Sequence, residues 1–207
     1  LKLVEGEEIH GGEEAHEEGE AHEHSENEHI WYDFDLTLDA AELIVSAITE
    51  LRPEAFESLT AGFDFFTSEV SNLEVRLEAL REKAIGLAFI APEGVANLLL
   101  ERAGFEDLTP ADLADAIEED REVSLAAITQ AESLLSNRVA ELLVINISST
   151  PDSVTERLIA AAEAGNREIV RVSETGFLDL GDGSPIEELS YLDWMAWVLD
   201  QLQEAIY

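Results

Sequence analysis

All five histidines of this 207-residue chain fall within its first 29 residues: His10, His16, His22, His24 and His29, set among eleven glutamates. Imidazole is the commonest neutral nitrogen ligand for metal ions, and carboxylates add oxygen donors and negative charge. The segment reads as a low-affinity trap for divalent metal, with His10, His16, His22 and His24 as auxiliary ligands. The competing reading is a solvated acidic linker in which histidine is incidental. The spacing of His22 and His24, two residues apart, specifies no site by itself. After Ile9 the segment offers almost nothing apolar, so burial does not offset its ordering entropy, and a flexible segment is expected over residues 1–29.

The charge balance narrows the partners. With 47 acidic against 11 basic residues the net charge is −36, which argues against nucleic acid and against anionic lipid headgroups and suits cationic ligands. The absence of cysteine excludes disulfides, thiolate metal sites and cysteine nucleophiles. No G-x-S-x-G elbow, phosphate-binding loop or H-E-x-x-H pair occurs, and no histidine beyond position 29 is present to activate a serine, so no enzymatic activity is expected. The longest apolar run, Ala84 to Ala91, falls far short of the roughly 20 residues of a membrane span. The opening LKLVEGEE has no basic region followed by an apolar stretch, so no signal peptide is expected in it.

From Ile30 onward the chain is periodic, and its 46% hydrophobic content suffices for a core. Residues 37–51 carry apolar side chains near the helical period. After Pro53, the series Phe56, Leu59, Phe63, Phe66, Val70, Leu73, Leu77 and Leu80 is spaced alternately by three and four. It predicts one helix of about 28–30 residues, roughly 45 Å long. A coiled coil and a spine helix along a larger body both explain it; the three seam phenylalanines and Gly62 favour the spine. Short apolar runs then alternate with helical stretches. Strands are expected at Ala84–Ala91, Leu142–Ile147 and Glu168–Val172, and helices at Glu93–Ala103, 110–119, Leu125–Leu135, Pro151–Ala164 and Pro185–Ile206. Gly104 and Gly165 are expected to stop helices, and Thr109 to cap one. The fold class is α/β: a parallel-sheet lobe flanked by helices, preceded by a long spine helix and a disordered acidic His-rich segment.

In parallel sheets ligands sit at the carboxyl ends of the strands. Glu93 follows the first predicted strand and Glu174 the third. An acidic residue at one strand end is commonly a helix cap or a solvated loop residue. Two at equivalent ends, with histidines upstream, point to a cation site. Gly181-Asp182-Gly183 is a turn signal, with calcium binding as a weak further reading, and Trp31, Trp194 and Trp197 are expected in the core.

Several segments resemble a known family. His29-Ile30-Trp31-Tyr32-Asp33 is similar to the His-Val-Trp-Leu-Asp segment of the zinc/manganese (cluster 9) solute-binding proteins of ABC importers. In that family a His/acid-rich loop precedes the segment and a long backbone helix follows it. The stretch Pro92 to Gly104 resembles the helix bearing the third ligand, His in many zinc members and Glu in others, including manganese-type receptors. Ser173-Glu174-Thr175 stands where the family places its last carboxylate ligand, and Tyr191-Leu192-Asp193-Trp194-Met195 resembles the start of the terminal helix. Residues 145–158 are similar to the strand, loop and helix of actinobacterial members.

The resemblance implies metal ligands His29, Glu93 and Glu174, Zn²⁺ or Mn²⁺ as the transported ion with zinc ahead, an ABC permease as partner, and an extracytoplasmic, lipoprotein-type location. It also implies a further histidine in a first lobe that would lie before Leu1. The resulting division is an acidic flexible segment over 1–29, a remnant of the N-terminal lobe over 30–52, the spine helix over 53–83 and the metal-binding lobe over 84–207. A second class stays open: an acidic helical interaction module without a specific metal site, which requires Phe56, Phe63 and Val70 to be exposed. A metal-dependent hydrolase is the least supported reading.

Overall fold

The computed structural model describes residues 27–148, 150–180 and 186–206. His10, His16, His22 and His24, and the turn at Gly181-Asp182-Gly183, lie outside those residues.

Helix α1 (Phe34–Leu51) is capped by Asp33, whose Oδ1 accepts the backbone N–H groups of Asp35 and Leu36 at 2.8 and 3.0 Å. A short 3-10 turn at Pro53–Ala55 leads into α2 (Phe56–Ala84), the 29-residue helix expected from the apolar spacing. Its seam is used unequally. Val70, Leu73, Leu77, Leu80 and Ala84 are buried against the body, whereas Phe56 is 55% exposed and Phe63 only partly covered. Of the three side chains that an interaction module needs in solvent, Val70 is therefore withdrawn. On α1, Leu43, Ile44 and Leu51 are exposed as well.

Strand β1 is Ala88–Ile90, shorter than expected, because α2 continues through Ala84 and the chain then turns at Gly86, whose φ of +89° suits glycine. Helix α3 (Asn97–Arg102) starts four residues later than expected: its first 1–5 hydrogen bond runs from Leu100 N–H to the Ala96 carbonyl, so residues 92–96 form a loop. Gly104 ends it in the left-handed region, as anticipated. Strand β2 (Glu106–Asp107) is too short to leave a pattern in the sequence. Thr109 does not cap α4 (Ala111–Glu118); its hydroxyl instead accepts the Ala91 N–H at 2.9 Å.

Helix α5 (Leu125–Ser136), strand β3 (Leu142–Asn146), helix α6 (Ser153–Gly165) and strand β4 (Glu168–Val172) come next. The left-handed stop after α6 is Asn166, not Gly165. Gly165 serves close packing: a Cβ there would stand 2.4 Å from the Leu135 carbonyl oxygen. Strands β5 (Phe177–Leu178) and β6 (Glu187–Glu188) pair antiparallel and delay the last helix, α7 (Tyr191–Ala205), which begins at the Ser190 cap rather than at Pro185.

The main sheet is parallel, in the order β2-β1-β3-β4. Successive side chains of a strand face opposite ways, so β3 serves two cores. Leu142 and Val144 pack with α2, α3 and α7, and with Trp194; Leu143 and Ile145 pack with α4, α5 and α6. Trp31 and Trp197 lie partly buried against the first core. The segment before α1 is pinned to the far end of the chain. Tyr32 Oη donates to the Ser173 carbonyl at 2.7 Å and Tyr191 Oη to the Trp31 carbonyl at 2.9 Å. Arg102 binds Asp35 at 2.8 Å and Glu74 at 2.9 Å, which sets the start of α1 beside the later turns of α2 and makes the two helices antiparallel. Among the described residues no helix is long and apolar enough to cross a membrane.

Candidate metal centre

Strand β3 lies between β1 and β4, so the segments leaving these two strands converge around its end. That end is Asn146, nearly buried. Its Nδ2 donates to Glu93 Oε2 at 2.7 Å and to Glu174 Oε1 at 2.8 Å. The two carboxylate oxygens are therefore no further apart than the sum of those distances, 5.5 Å. The amide orientation is set by its other end, because Oδ1 accepts the Ser148 N–H at 2.9 Å and must be the oxygen. Ser148 Oγ accepts the Glu174 N–H at 2.8 Å and meets Ser173 Oγ at 3.0 Å. Glu93 does not cap α3; the loop over 92–96 leaves its side chain to reach Asn146.

His29 is tied through Asn27 to the loop that bears Glu93. Asn27 Nδ2 donates to the Gly94 carbonyl at 2.8 Å, so the facing atom of that amide is an oxygen. This Oδ1 accepts the His29 backbone N–H and contacts His29 Nδ1, each at 2.9 Å. An oxygen here requires Nδ1 to carry the proton, which leaves the lone pair of the neutral ring on Nε2, the atom that would ligate a cation. Trp31 stands edge-on to the imidazole with ring centroids 5.3 Å apart. Among the described residues no group of three or more His, Asp or Glu side chains is already gathered tightly enough to hold a metal ion. The arrangement is thus a converged carboxylate pair with an imidazole nearby, and side-chain movement is needed to form a closed cage.

Burial pushes the Glu93 carboxyl above the usual carboxylate range; the Asn146 hydrogen bond opposes this, the negative charges of Glu174 and Asp152 add to it, and His29 opposes it. A carboxyl raised on folding keeps its proton in the native state after the unfolded chain has lost its own. Stability then falls as pH rises through the interval from the ordinary glutamate value to the raised one. Glu93→Gln is expected to raise the metal-free melting temperature at pH 7, with the gain shrinking toward pH 4. Melting curves at the two pH values check this; an equal or greater gain at pH 4 contradicts it.

The sequence assigns no role of its own to Asn146, Ser148, Ser173 or Asn27. Asn146 left one signal, a lone amide closing the apolar run LLVINI.

A family model described as zinc-uptake complex component A, periplasmic (ZnuA), matches residues 2–205. The chain belongs to this family. Solved structures similar to this ZnuA-family chain include the periplasmic zinc binding protein TroA from Treponema pallidum, at 16% identity and a TM-score of 0.66. The match covers 87% of this chain and 64% of TroA. The laminin-binding protein Lmb of Streptococcus agalactiae, described as bifunctional with adhesin and metal transporting activity, is 16% identical with a TM-score of 0.67, covering 87% and 65%. A Cd-bound periplasmic metal binding protein from Candidatus Liberibacter asiaticus is 18% identical with a TM-score of 0.63, covering 87% and 64%. At these identities the likeness shows the fold, and the ZnuA-family chain spans slightly less than two thirds of each neighbour's length. No curated protein sequence matches it. The family is one of metal-binding solute receptors of ABC importers, with zinc uptake as its described role.

Proposed function

We propose that this ZnuA-family chain captures a divalent transition metal outside the cytoplasm for delivery to an ABC permease, with Zn²⁺ ahead of Mn²⁺. The ligands in this reading are Glu93, Glu174 and His29 Nε2. The observation that supports it is the shared hydrogen bonding of two carboxylates to one amide at the end of a central parallel strand. One imidazole and two carboxylates form a mixed nitrogen and oxygen donor set, which zinc and manganese both accept. For a given site of this kind Zn²⁺ binds more tightly than Mn²⁺.

A further histidine, from the portion of the family fold not covered by this chain, completes the shell in this reading. Residues 84–207 form the metal-binding lobe, 53–83 the spine and 30–52 the remnant of a first lobe, while the acidic segment 1–29 acts as a low-affinity trap for cations. The long spine limits closure to small shifts. The full-length protein is a membrane-anchored lipoprotein in the same reading.

Titration calorimetry of the chain with Zn²⁺ and then Mn²⁺ tests it. Two classes of site are expected, a weaker one that disappears when residues 1–26 are deleted and a tighter one that survives, with Zn²⁺ preferred over Mn²⁺. Loss of all saturable binding on deletion rejects the lobe as a receptor and favours the acidic interaction module.

A further inference from the structure

We infer that Asn146 is the positioning residue of this site, holding one oxygen of Glu93 and one of Glu174 so that the other oxygen of each is presented to the cation. The inference rests on the metal-capture reading above and goes beyond it by naming the group that builds the ligand geometry. Asn146 closes β3 with its side chain nearly buried, so its amide has little freedom to rotate. Both amide protons are used, one at 2.7 Å and one at 2.8 Å, and the amide oxygen is held by the Ser148 N–H at 2.9 Å. All three polar positions of the group are thereby committed.

The chemistry of the residue type matters. Two carboxylates whose nearest amide-bound oxygens lie within 5.5 Å repel each other, and a neutral donor with two hydrogens at a fixed angle satisfies both from one point without adding a charge that competes with the cation. Aspartate there would add a third negative charge, and leucine would fill similar space with no donor. Ligating carboxylates are commonly oriented by hydrogen bonds of this kind, and losing such a partner typically costs about 10–100-fold in metal affinity. In this inference the amide keeps Glu93 Oε2 and Glu174 Oε1, and the cation takes the oxygens the amide does not use, Glu93 Oε1 and Glu174 Oε2.

The test uses the full chain, with Zn²⁺ in calorimetry and Co²⁺ as an absorption probe of ligand geometry. Asn146→Leu is expected to lower Zn²⁺ affinity about 10–100-fold and to change the intensity of the Co²⁺ visible bands. Asn146→Ser, which keeps a single donor, is expected to lose less, and it carries the test if the leucine variant does not fold. In a Glu93→Gln, Glu174→Gln background the Asn146 change is expected to have no further effect, because the groups it positions no longer ligate. Parent-like affinity and Co²⁺ spectrum for both Asn146 variants overturn the inference, as does a loss that persists undiminished in the double background. If the double background itself binds Zn²⁺ like the parent, the metal-capture reading fails and takes the inference with it. If that background loses binding while the Asn146 variants keep it, the inference alone fails.

Discussion

Exchanging both Glu93 and Glu174 for glutamine is expected to weaken Zn²⁺ binding by about 100-fold or more in a chain lacking residues 1–26, equivalent to roughly 2.7 kcal/mol. The substitution keeps shape and hydrogen-bond capacity and removes two negative charges that face one small volume. The two carboxylates are held to one amide, with their Asn146-bound oxygens no more than 5.5 Å apart, so in the proposed site a cation draws on both charges at once. Single substitutions are expected to lose about tenfold each, and the pair need not be additive because both side chains share Asn146. Calorimetry on the three variants decides the matter. A loss under about threefold in the double variant contradicts a site at these residues.

The largest effect on stability is expected at Phe89. It sits on β1, has no exposed surface, and packs in the core that joins the sheet to α2, α3 and α7. Phe89→Ala removes most of a ring from a close-packed interior and is expected to cost about 3–5 kcal/mol. For a chain of this size that lowers the melting temperature by roughly 10 °C. Strand β1 also leads directly into the loop bearing Glu93, so metal affinity should fall with stability. Leu43→Ala, on the exposed face of α1, is expected to stay within about 0.5 kcal/mol. Urea unfolding of the two variants tests the contrast. Equal losses contradict the assignment of Phe89 to the core.

Much of this architecture was legible where local pattern alone determines the outcome. The three-and-four spacing from Phe56 to Leu80 requires a helix, and α2 has it. The apolar runs around Phe89 and Leu142 became the two central strands, because strands buried on both faces read as continuous hydrophobic stretches, and the run around Val170 became the edge strand β4, which keeps Glu168 and Arg171 exposed. Boundaries failed where a distant contact decided them. Glu93 was expected to open a helix, yet its side chain is committed to Asn146, 53 residues away. Pro185 was expected to start the last helix, yet residues 187–188 pair with 177–178 first. Thr109 carried the chemistry of a cap and instead supports the backbone at Ala91.

The candidate site divides the same way. Strand-end logic brought Glu93 and Glu174 forward, since residue order alone places them after β1 and β4. It passed over Asn146, because an amide at the end of an apolar strand gains its meaning only from two carboxylates 28 and 53 residues away in sequence. His29 came forward only through the resemblance of residues 29–33 to the family's His-Val-Trp-Leu-Asp segment. The Asn27 contact that fixes its tautomer was not visible, because it depends on the carbonyl of Gly94, 67 residues on.

The bond from Tyr32 to the Ser173 carbonyl spans 141 residues. Contacts of such range form late, since the loop they close must first be brought together against its entropy. The contacts of Asn146 with Glu93 and Glu174 close loops of 53 and 28 residues, so the polar cluster at the strand tips exists only where the sheet has brought its strands together. If the proposed site takes a cation, that ion binds only chains whose sheet is assembled and stabilises them by mass action. Completion of the fold and readiness to load would then be one event.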